Sequence, residues 1–367
     1  MIRILYINGG LMNRGGIESY MMNYYRHFER SKVQIDFVVH DAGGYGYYDE
    51  EIEAMGGKIF VLPKKSMHPF TYTYRLKQIL KSGDYKIIHT HMDAMGAWAL
   101  KVAKGCGIPV RIAHSHNTQH LTTNTLKLFF LEKARRSINK YATHRMACSD
   151  VAGKWLFGDK TFTIVHNAIE VEKFAFKEDE RKQIRNMYGI KDDEFLIGHV
   201  GRFDTQKNHS FLIDVFAKIV KEKHKSKLMF VGEGHLMKNI KEKVSKLNLN
   251  DNVIFTGVSE VAYKYYNAFD LFVLPSLFEG LGIVAIEAEV NGCPSMLSNH
   301  VPQATKIAEN VFFLDLKVNL WKMNIEQYYK KRKKRSGASF DIYKSGYNIS
   351  LEAGRLQKIY LDLWNKS

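Results

Sequence analysis

The sequence predicts an α/β protein of two doubly wound domains. Apolar runs of strand length alternate with longer stretches of helical periodicity, the alternation occurs in two separate series, and 367 residues suffice for two cores rather than one. In the first series the strand-like runs are residues 2–7, 34–39, 58–62, 86–91, 110–114 and 145–147, with helices at 17–28, 70–81, 98–104 and 126–141 between them. Strands joined through helices run parallel and are covered on both faces, so each reads as a near-continuous apolar stretch. The second series follows Val165-His-Asn-Ala-Ile-Glu170, with strands at 195–200, 227–231, 253–256, 271–274, 294–297 and 311–314 and helices at 210–222, 237–247, 263–268 and 284–291. The pattern repeats without repetition of sequence. These series divide the chain into a first domain at 1–167, a second at 168–348 and a closing helix at 349–367, the break falling within 167–176. On that helix Leu351, Leu356, Ile359, Tyr360, Leu363 and Trp364 share one broad side and must pack on something.

Composition excludes several classes. The chain is 45% hydrophobic and 25% charged, an ordinary soluble globular balance. The opening apolar run stops at Gly9-Gly10, too short for a signal peptide, and no later stretch approaches the roughly 20 apolar residues of a membrane span. Cys106, Cys148 and Cys293 have no paired spacing, which suits reduced, buried thiols in the cytosol. A net charge of +16 asks for an anionic partner. Between residues 121 and 145, Lys127, Lys133, Arg135, Arg136, Lys140 and Arg145 outnumber Glu132, while Leu126, Phe129, Phe130 and Ile138 form an apolar side. Such a helix suits either an acidic lipid surface or a core with a solvated basic face. The run Lys330-Lys-Arg-Lys-Lys-Arg335 reads as a solvated loop. No zinc finger, aromatic RNA-binding signature or helix-turn-helix pattern is present, so nucleic acid is not an expected partner.

The most informative stretch is Glu279-Gly280-Leu281-Gly282-Ile-Val-Ala-Ile-Glu287, entered from the apolar run 270–274 through Pro275 and Ser276. A strand that crosses two glycines into a helix offers unpaired backbone N–H groups at a helix start, where an anion is favoured. Earlier, Gly198-His-Val-Gly201-Arg202-Phe-Asp-Thr-Gln-Lys207 presents two cations just beyond a strand end. Arg grips phosphate oxygens through a planar fork and Lys adds a mobile charge, a pairing suited to a diphosphate. Gly232-Glu233-Gly234 and Gly257-Val258 also follow strands, and alone they are consistent with plain turns. In the first domain, Gly15 and Gly16 lie in a glycine-rich loop that lacks the G-x-G-x-x-G of nicotinamide binding. Two histidine pairs, His89/His91 and His114/His116, follow apolar runs, and alternation puts each pair on one side of its strand. With His40, Asp41 and Asp93 they offer donors for a metal, but no compact ligand pattern accompanies them.

Taken together, Glu279 and Glu287 with Arg202 and Lys207 resemble the E-x7-E and G-R-x4-K donor motifs of retaining GT-B glycosyltransferases of the family 4, group 1 type, which includes bacterial capsule and exopolysaccharide enzymes. The resemblance covers nearly the whole chain and is strongest over 200–294. It implies two Rossmann-like domains facing a cleft, with the C-terminal helix crossing back to the first. It further implies a nucleotide-diphosphate sugar as donor, bound by Gly15, Gly16, Arg202, Lys207, Gly232, Glu233, Gly257, Val258 and the segment Glu279, Gly280, Leu281 and Gly282, with Glu287 on the ribose. Glu279 would orient the sugar, and a first-domain histidine, either His114 or His116 with His114 favoured, would be catalytic. Because cations and a helix start neutralise the leaving diphosphate, no metal and no other cofactor is expected. The acceptor implied is a lipid-linked saccharide, placing the protein in the cytoplasm, peripheral to the inner face of the cell membrane. An epimerase on the same scaffold and a metal-dependent hydrolase using the histidine pairs stand as alternatives.

Overall fold

The structure is a computed structural model that describes residues 1–40, 43–64, 67–120, 122, 124–222, 225–259, 261–332, 334, 335, 337, 338 and 342–367. Leu121, Asp41 and Lys333, each within a stretch or ligand set considered above, lie outside the described residues. The chain forms two units, Met1–Ile169 with Gly346–Ser367, and Glu170–Ser345.

The first unit runs β1 (Ile2–Ile7), α1 (Gly16–His27), β2 (Val33–His40), α2 (Asp49–Ala54), β3 (Ile59–Leu62), α3 (Pro69–Ser82), β4 (Ile87–Thr90), α4 (Ala97–Gly105), β5 (Val110–Ser115), α5 (Thr125–Tyr141), β6 (His144–Ala147), α6 (Asp150–Phe157) and β7 (Thr163–Ile164). All strands are parallel in the order β3-β2-β1-β4-β5-β6-β7, with Ile4 of β1 opposite both Ile35 and Ile87. Every residue of β2 and of β4 is buried, as covered faces require. On one face lie Tyr20, Met21, Tyr24 and Tyr25 of α1, and on the other Tyr72 and Leu76 of α3 with Leu100 and Ala103 of α4.

The second unit runs α7 (Val171–Phe174), α8 (Glu178–Met187), β8 (Phe195–Val200), α9 (His209–Lys221), β9 (Ser226–Val231), α10 (Met237–Lys246), β10 (Val253–Phe255), α11 (Ala262–Ala268), β11 (Leu271–Leu274), α12 (Ile283–Val290), β12 (Ser295–Ser298), β13 (Val311–Leu314) and α13 (Val318–Lys331). Its strands are again parallel, ordered β10-β9-β8-β11-β12-β13. The strand order therefore reverses between β1 and β4 in the first unit and between β8 and β11 in the second. Such a reversal opens a crevice beyond the carboxyl ends of the strands, where ligands bind in open α/β sheets.

The last helix, α14 (Ile349–Asn365), belongs to the first unit. The Asn348 side chain caps it, accepting from the Ser350 and Leu351 N–H groups at 2.9 and 3.2 Å. Its buried face is Ile349, Ala353, Leu356 and Tyr360, packed in the core that contains the buried α1 residues. Burial of Leu356 and Ile349 contributes about 1.5–3 kcal/mol each. Leu351, read above as part of that face, is 59% exposed, because it stands two residues from both Ile349 and Ala353 and so lies on the opposite side of the helix.

Six of these elements escaped the sequence pattern: α2, α6, β7, α7, α8 and α13. Helix α8 shows why. Its sequence, EDERKQIRNM, has almost no apolar periodicity, and it docks through arginine instead. Arg185 is buried, donating to the Lys191 and Glu194 carbonyls at 2.6 and 2.7 Å and facing Asp270 at 3.3 Å. The basic run at 330–335 also departs from a solvated loop. Arg335 donates to the backbone oxygens of Tyr266, Phe269 and Asn291 at 2.6, 2.8 and 2.9 Å, closing orphan carbonyls at the end of α11 and α12.

Candidate functional site

At the β8/β11 reversal two loops are bonded to each other. The loop after β8 carries Arg202, Gln206 and Lys207, and the loop after β11 carries Ser276 to Gly282. Leu277 N–H donates to the Gln206 carbonyl at 2.8 Å, and Gln206 Nε2 to the Phe278 carbonyl at 3.0 Å. Lys207 Nζ then sits 2.6 Å from Glu279 Oε1, which also accepts from Ser276 Oγ at 2.7 Å. Both side chains are largely buried, 15% and 7% exposed, so removing either charge would leave the other unpaired in a low dielectric. Arg202 extends outward, 72% exposed, and its guanidinium is held by Asp204 at 2.8 Å. Asp204 also accepts the Lys207 N–H at 3.2 Å, so one carboxylate orients both basic residues of the loop.

Glycines permit this closeness. Gly282 precedes α12 with φ of +85°, a conformation that disfavours other residues, and a Cβ there would lie 3.7 Å from Glu279 Cγ. Gly232 has φ of +136°, and a Cβ on it would come 2.3 Å from the Gly201 carbonyl oxygen. Gly232 and Gly257 form a bridge, and Phe203 N–H donates to the Glu233 carbonyl at 2.8 Å, so the loops after β8, β9 and β10 interlock. Val258 is 55% exposed at the edge of this assembly. The structure thus gathers Arg202, Lys207, Gly232, Glu233, Gly257, Glu279, Gly280, Leu281 and Gly282 at one end of one sheet. Glu287 lies on α12 and accepts from the Tyr266 hydroxyl at 2.6 Å, and burial pushes its pKa up to about 7.

Two further histidines, His199 and His209, stand in this region. His199 on β8 donates Nδ1–H to the Val273 carbonyl at 2.8 Å, leaving Nε2 as an unpartnered buried acceptor. A Cβ at Gly201 would lie 3.3 Å from that nitrogen and from Lys207 Cδ, so Gly201 leaves the space in which the lysine stem crosses the histidine. His209, stacked on Phe203 with centroids 4.0 Å apart, opens α9. Burial pushes the His199 pKa down to about 4 and that of His209 to about 2, so both stay neutral beside the cations. No spacing signal marks either residue in the sequence.

In the first unit, a cavity of about 790 Å³ opens at the β1/β4 reversal, lined by Gly9, Met92, Asp93, His120 and Lys127, with Trp98, Phe130 and Trp155 among its apolar walls. Asp93 has φ of +46°, unusual for a residue with a side chain. Its carboxylate accepts the His116 N–H at 2.6 Å and the Asn117 amide at 2.7 Å, while burial raises its pKa. His114 and His116 lie beneath this surface, 0% and 6% exposed, so neither ring reaches the cavity directly. Gly15 sits at the start of α1, where its Cβ position is taken by the Glu18 carboxylate, and Gly16 begins the helix.

Two family models divide the chain between them. Glycosyltransferase Family 4 matches residues 14–173, and Glycosyl transferases group 1 matches residues 180–337. EpsF of Bacillus subtilis (strain 168), provisionally named a glycosyltransferase, is 32% identical across 98% of this chain and 96% of its own length. The chain belongs to the family 4, group 1 glycosyltransferases. The transferase is also 27% identical, over 61% of its length and 60% of the relative's, to the UDP-Gal:alpha-D-GlcNAc-diphosphoundecaprenol alpha-1,3-galactosyltransferase of Escherichia coli. Among solved structures, HepE of Anabaena with UDP and glucose superposes with a TM-score of 0.74 at 15% identity, covering 98% of the transferase and 95% of HepE. That likeness fixes the fold as GT-B, as the motifs led one to expect. Among the described residues no helix is long and apolar enough to cross a membrane.

Proposed function

We propose that the transferase moves a sugar, with retention at the anomeric carbon, from a nucleotide-diphosphate donor to a lipid-linked saccharide during assembly of a bacterial surface polysaccharide. The convergence of Lys207, Glu279 and the α12 start on one crevice carries this reading. Departure of the nucleotide develops negative charge on the diphosphate and positive charge at the sugar carbon. Arg202, Lys207 and the N–H groups around Gly282 supply fixed positive potential where the first charge grows, which needs no metal on the donor side. When a diphosphate draws Lys207 away, Glu279 is released to accept from sugar hydroxyls, and Glu287 serves the ribose from α12.

The first unit takes the acceptor. Its cavity pairs aromatic walls with the buried Asp93 carboxylate, a combination suited to stacking and hydrogen-bonding a sugar. Helix α5 borders that cavity through Lys127 and Phe130 and leaves Leu126 and Phe129 66% and 64% exposed beside Lys133 and Arg136. An exposed apolar and basic edge of this kind suits an anionic membrane at the inner face of the cell, where a lipid-linked acceptor would lie, as the E. coli relative's diphosphoundecaprenol substrate also suggests. With both rings buried, His114 and His116 are assigned to positioning, through the His116 backbone contact with Asp93, rather than to substrate contact.

The test is sugar transfer by Glu279→Gln, which keeps the shape of the side chain and its ability to accept from Ser276. Transfer is expected to fall by about 10²–10³-fold, the usual cost of a lost electrostatic contact in a reacting site. Unchanged turnover with an intact fold would remove Glu279 from the donor site.

A further inference from the structure

Four imidazoles fill the interior of the first unit on the α1 side of its sheet, and the sugar-transfer reading uses none of their ring nitrogens. His89 lies in β4 and His91 just after it, and His114 lies in β5 and His116 just after it; the strands are parallel neighbours, so alternation aims all four at one side. Their ring centroids are 4.2 Å apart within each pair and 5.1–5.3 Å apart across the strands. The Tyr20 ring covers them from α1, at 5.7, 5.2 and 5.1 Å from His91, His114 and His116.

The nitrogens can be accounted for one by one. His89 Nδ1 meets the Tyr360 hydroxyl at 2.7 Å, and that hydroxyl meets Tyr6 at 2.7 Å. His89 Nε2 lies 3.0 Å from His114 Nδ1, and His91 Nδ1 lies 3.0 Å from His116 Nε2. His91 Nε2, His114 Nε2 and His116 Nδ1 are buried with no partner, as is the Tyr20 hydroxyl. A neutral imidazole has one N–H and one lone pair, so exchanging tautomers moves the deficit around the cluster and never removes it. Three unmatched nitrogens in one buried cluster are costly unless something else binds there.

We propose that His89, His91 and His114 bind a divalent transition-metal ion of the zinc or nickel class. One ring nitrogen from each of these residues falls in a set no more than 4.8 Å across. Imidazole nitrogens held about 2.0–2.1 Å from a tetrahedral ion stand roughly 3.3 Å apart, so small ring rotations close the set. A donor set of neutral imidazoles selects such ions over magnesium or calcium, which require oxygen ligands. With its Nδ1–H donated to the Tyr360 hydroxyl 2.7 Å away, His89 would keep its Nε2 lone pair for the ion, the outer support that ligating histidines ordinarily have. A bound ion would tie β4 to β5 and, through Tyr360, to α14. Its role is to brace the fold, and it stands whether or not the donor assignment does.

The experiment uses the full chain without a histidine tag, stripped with a chelator, equilibrated with zinc or nickel, desalted and assayed for retained metal. Wild type is expected to keep about one ion per chain and to melt at a higher temperature than the stripped protein. The variants His91→Gln and His114→Gln are expected to lose retention. Should either fail to fold, cobalt added to wild type must give the visible absorption of nitrogen ligation. A wild-type chain that retains no metal and stays colourless with cobalt overturns the proposal, and so does undiminished retention in two folded variants.

Discussion

Glu289 sits about two helical turns along α12 from the Gly282 start, fully buried, and accepts the Ile307 and Ala308 N–H groups at 2.7 and 2.9 Å. Those bonds favour the carboxylate, but one oxygen has no partner and burial outweighs them, pushing the pKa up to about 8. The folded state thus holds a proton that the unfolded chain releases in the ordinary glutamate range. The resulting stability is complete at low pH and is lost as pH rises through 8, with a slope of up to about 1.4 kcal/mol per pH unit. Glu289→Gln keeps an acceptor for the two N–H groups and does not titrate. Its denaturation midpoint should therefore match wild type near the acid end and rise progressively above it toward pH 8, and a gap that fails to widen would contradict the buried-proton account. At this scale the sequence disclosed those residues whose chemistry is fixed by position after a strand, such as Arg202, Lys207 and Glu279. It did not disclose His199, and it offered Asp93 only as a donor for a metal, not as the residue that orients the loop after β5. Their importance comes from an unpartnered nitrogen and a left-handed backbone, which only folding creates.

Helix α5 is the element whose sequence left two readings open, and the structure leaves its apolar side largely uncovered. Of Leu126, Phe129, Phe130 and Ile138 only Ile138 is buried, while Glu132 binds Arg135 at 2.7 Å and leaves Lys127, Lys133 and Lys140 exposed. Replacing Leu126 and Phe129 by serine removes two exposed apolar groups that do not line the cavity. Co-sedimentation with vesicles rich in anionic phospholipid is expected to fall at least about tenfold, since each inserted side chain contributes on the order of 1–3 kcal/mol. Equal binding by the variant would show that α5 does not face lipid. Elements with a full apolar stripe, such as α1, α9 and α14, were readable to within a residue or two. Helix α8 and the 330–335 run were not, because arginines bonded to backbone carbonyls do the docking there, and hydrophobic periodicity carries no trace of that.

At the scale of the whole molecule, both units follow one rule: a parallel sheet whose strand order reverses once, with the chemistry in the loops at that reversal. The alternation of strands and helices was legible because parallel strands are buried on both faces. The strand order was not, because it depends on which way each crossover turns, and the interlocking of Gly201, Gly232 and Gly257 depends on it in turn. The account rests on a diphosphate held in the second unit by Arg202, Lys207 and the α12 start. Calorimetric titration of nucleoside diphosphates into wild type and Arg202→Ala tests this most directly, because the exposed guanidinium can be removed without opening a core. The account predicts that wild type binds at least one of them and that the variant binds it about 10–100-fold more weakly, the worth of one charge-assisted contact, with an unchanged melting temperature for the free protein. Equal affinity in the two proteins, or no binding by wild type, would contradict it.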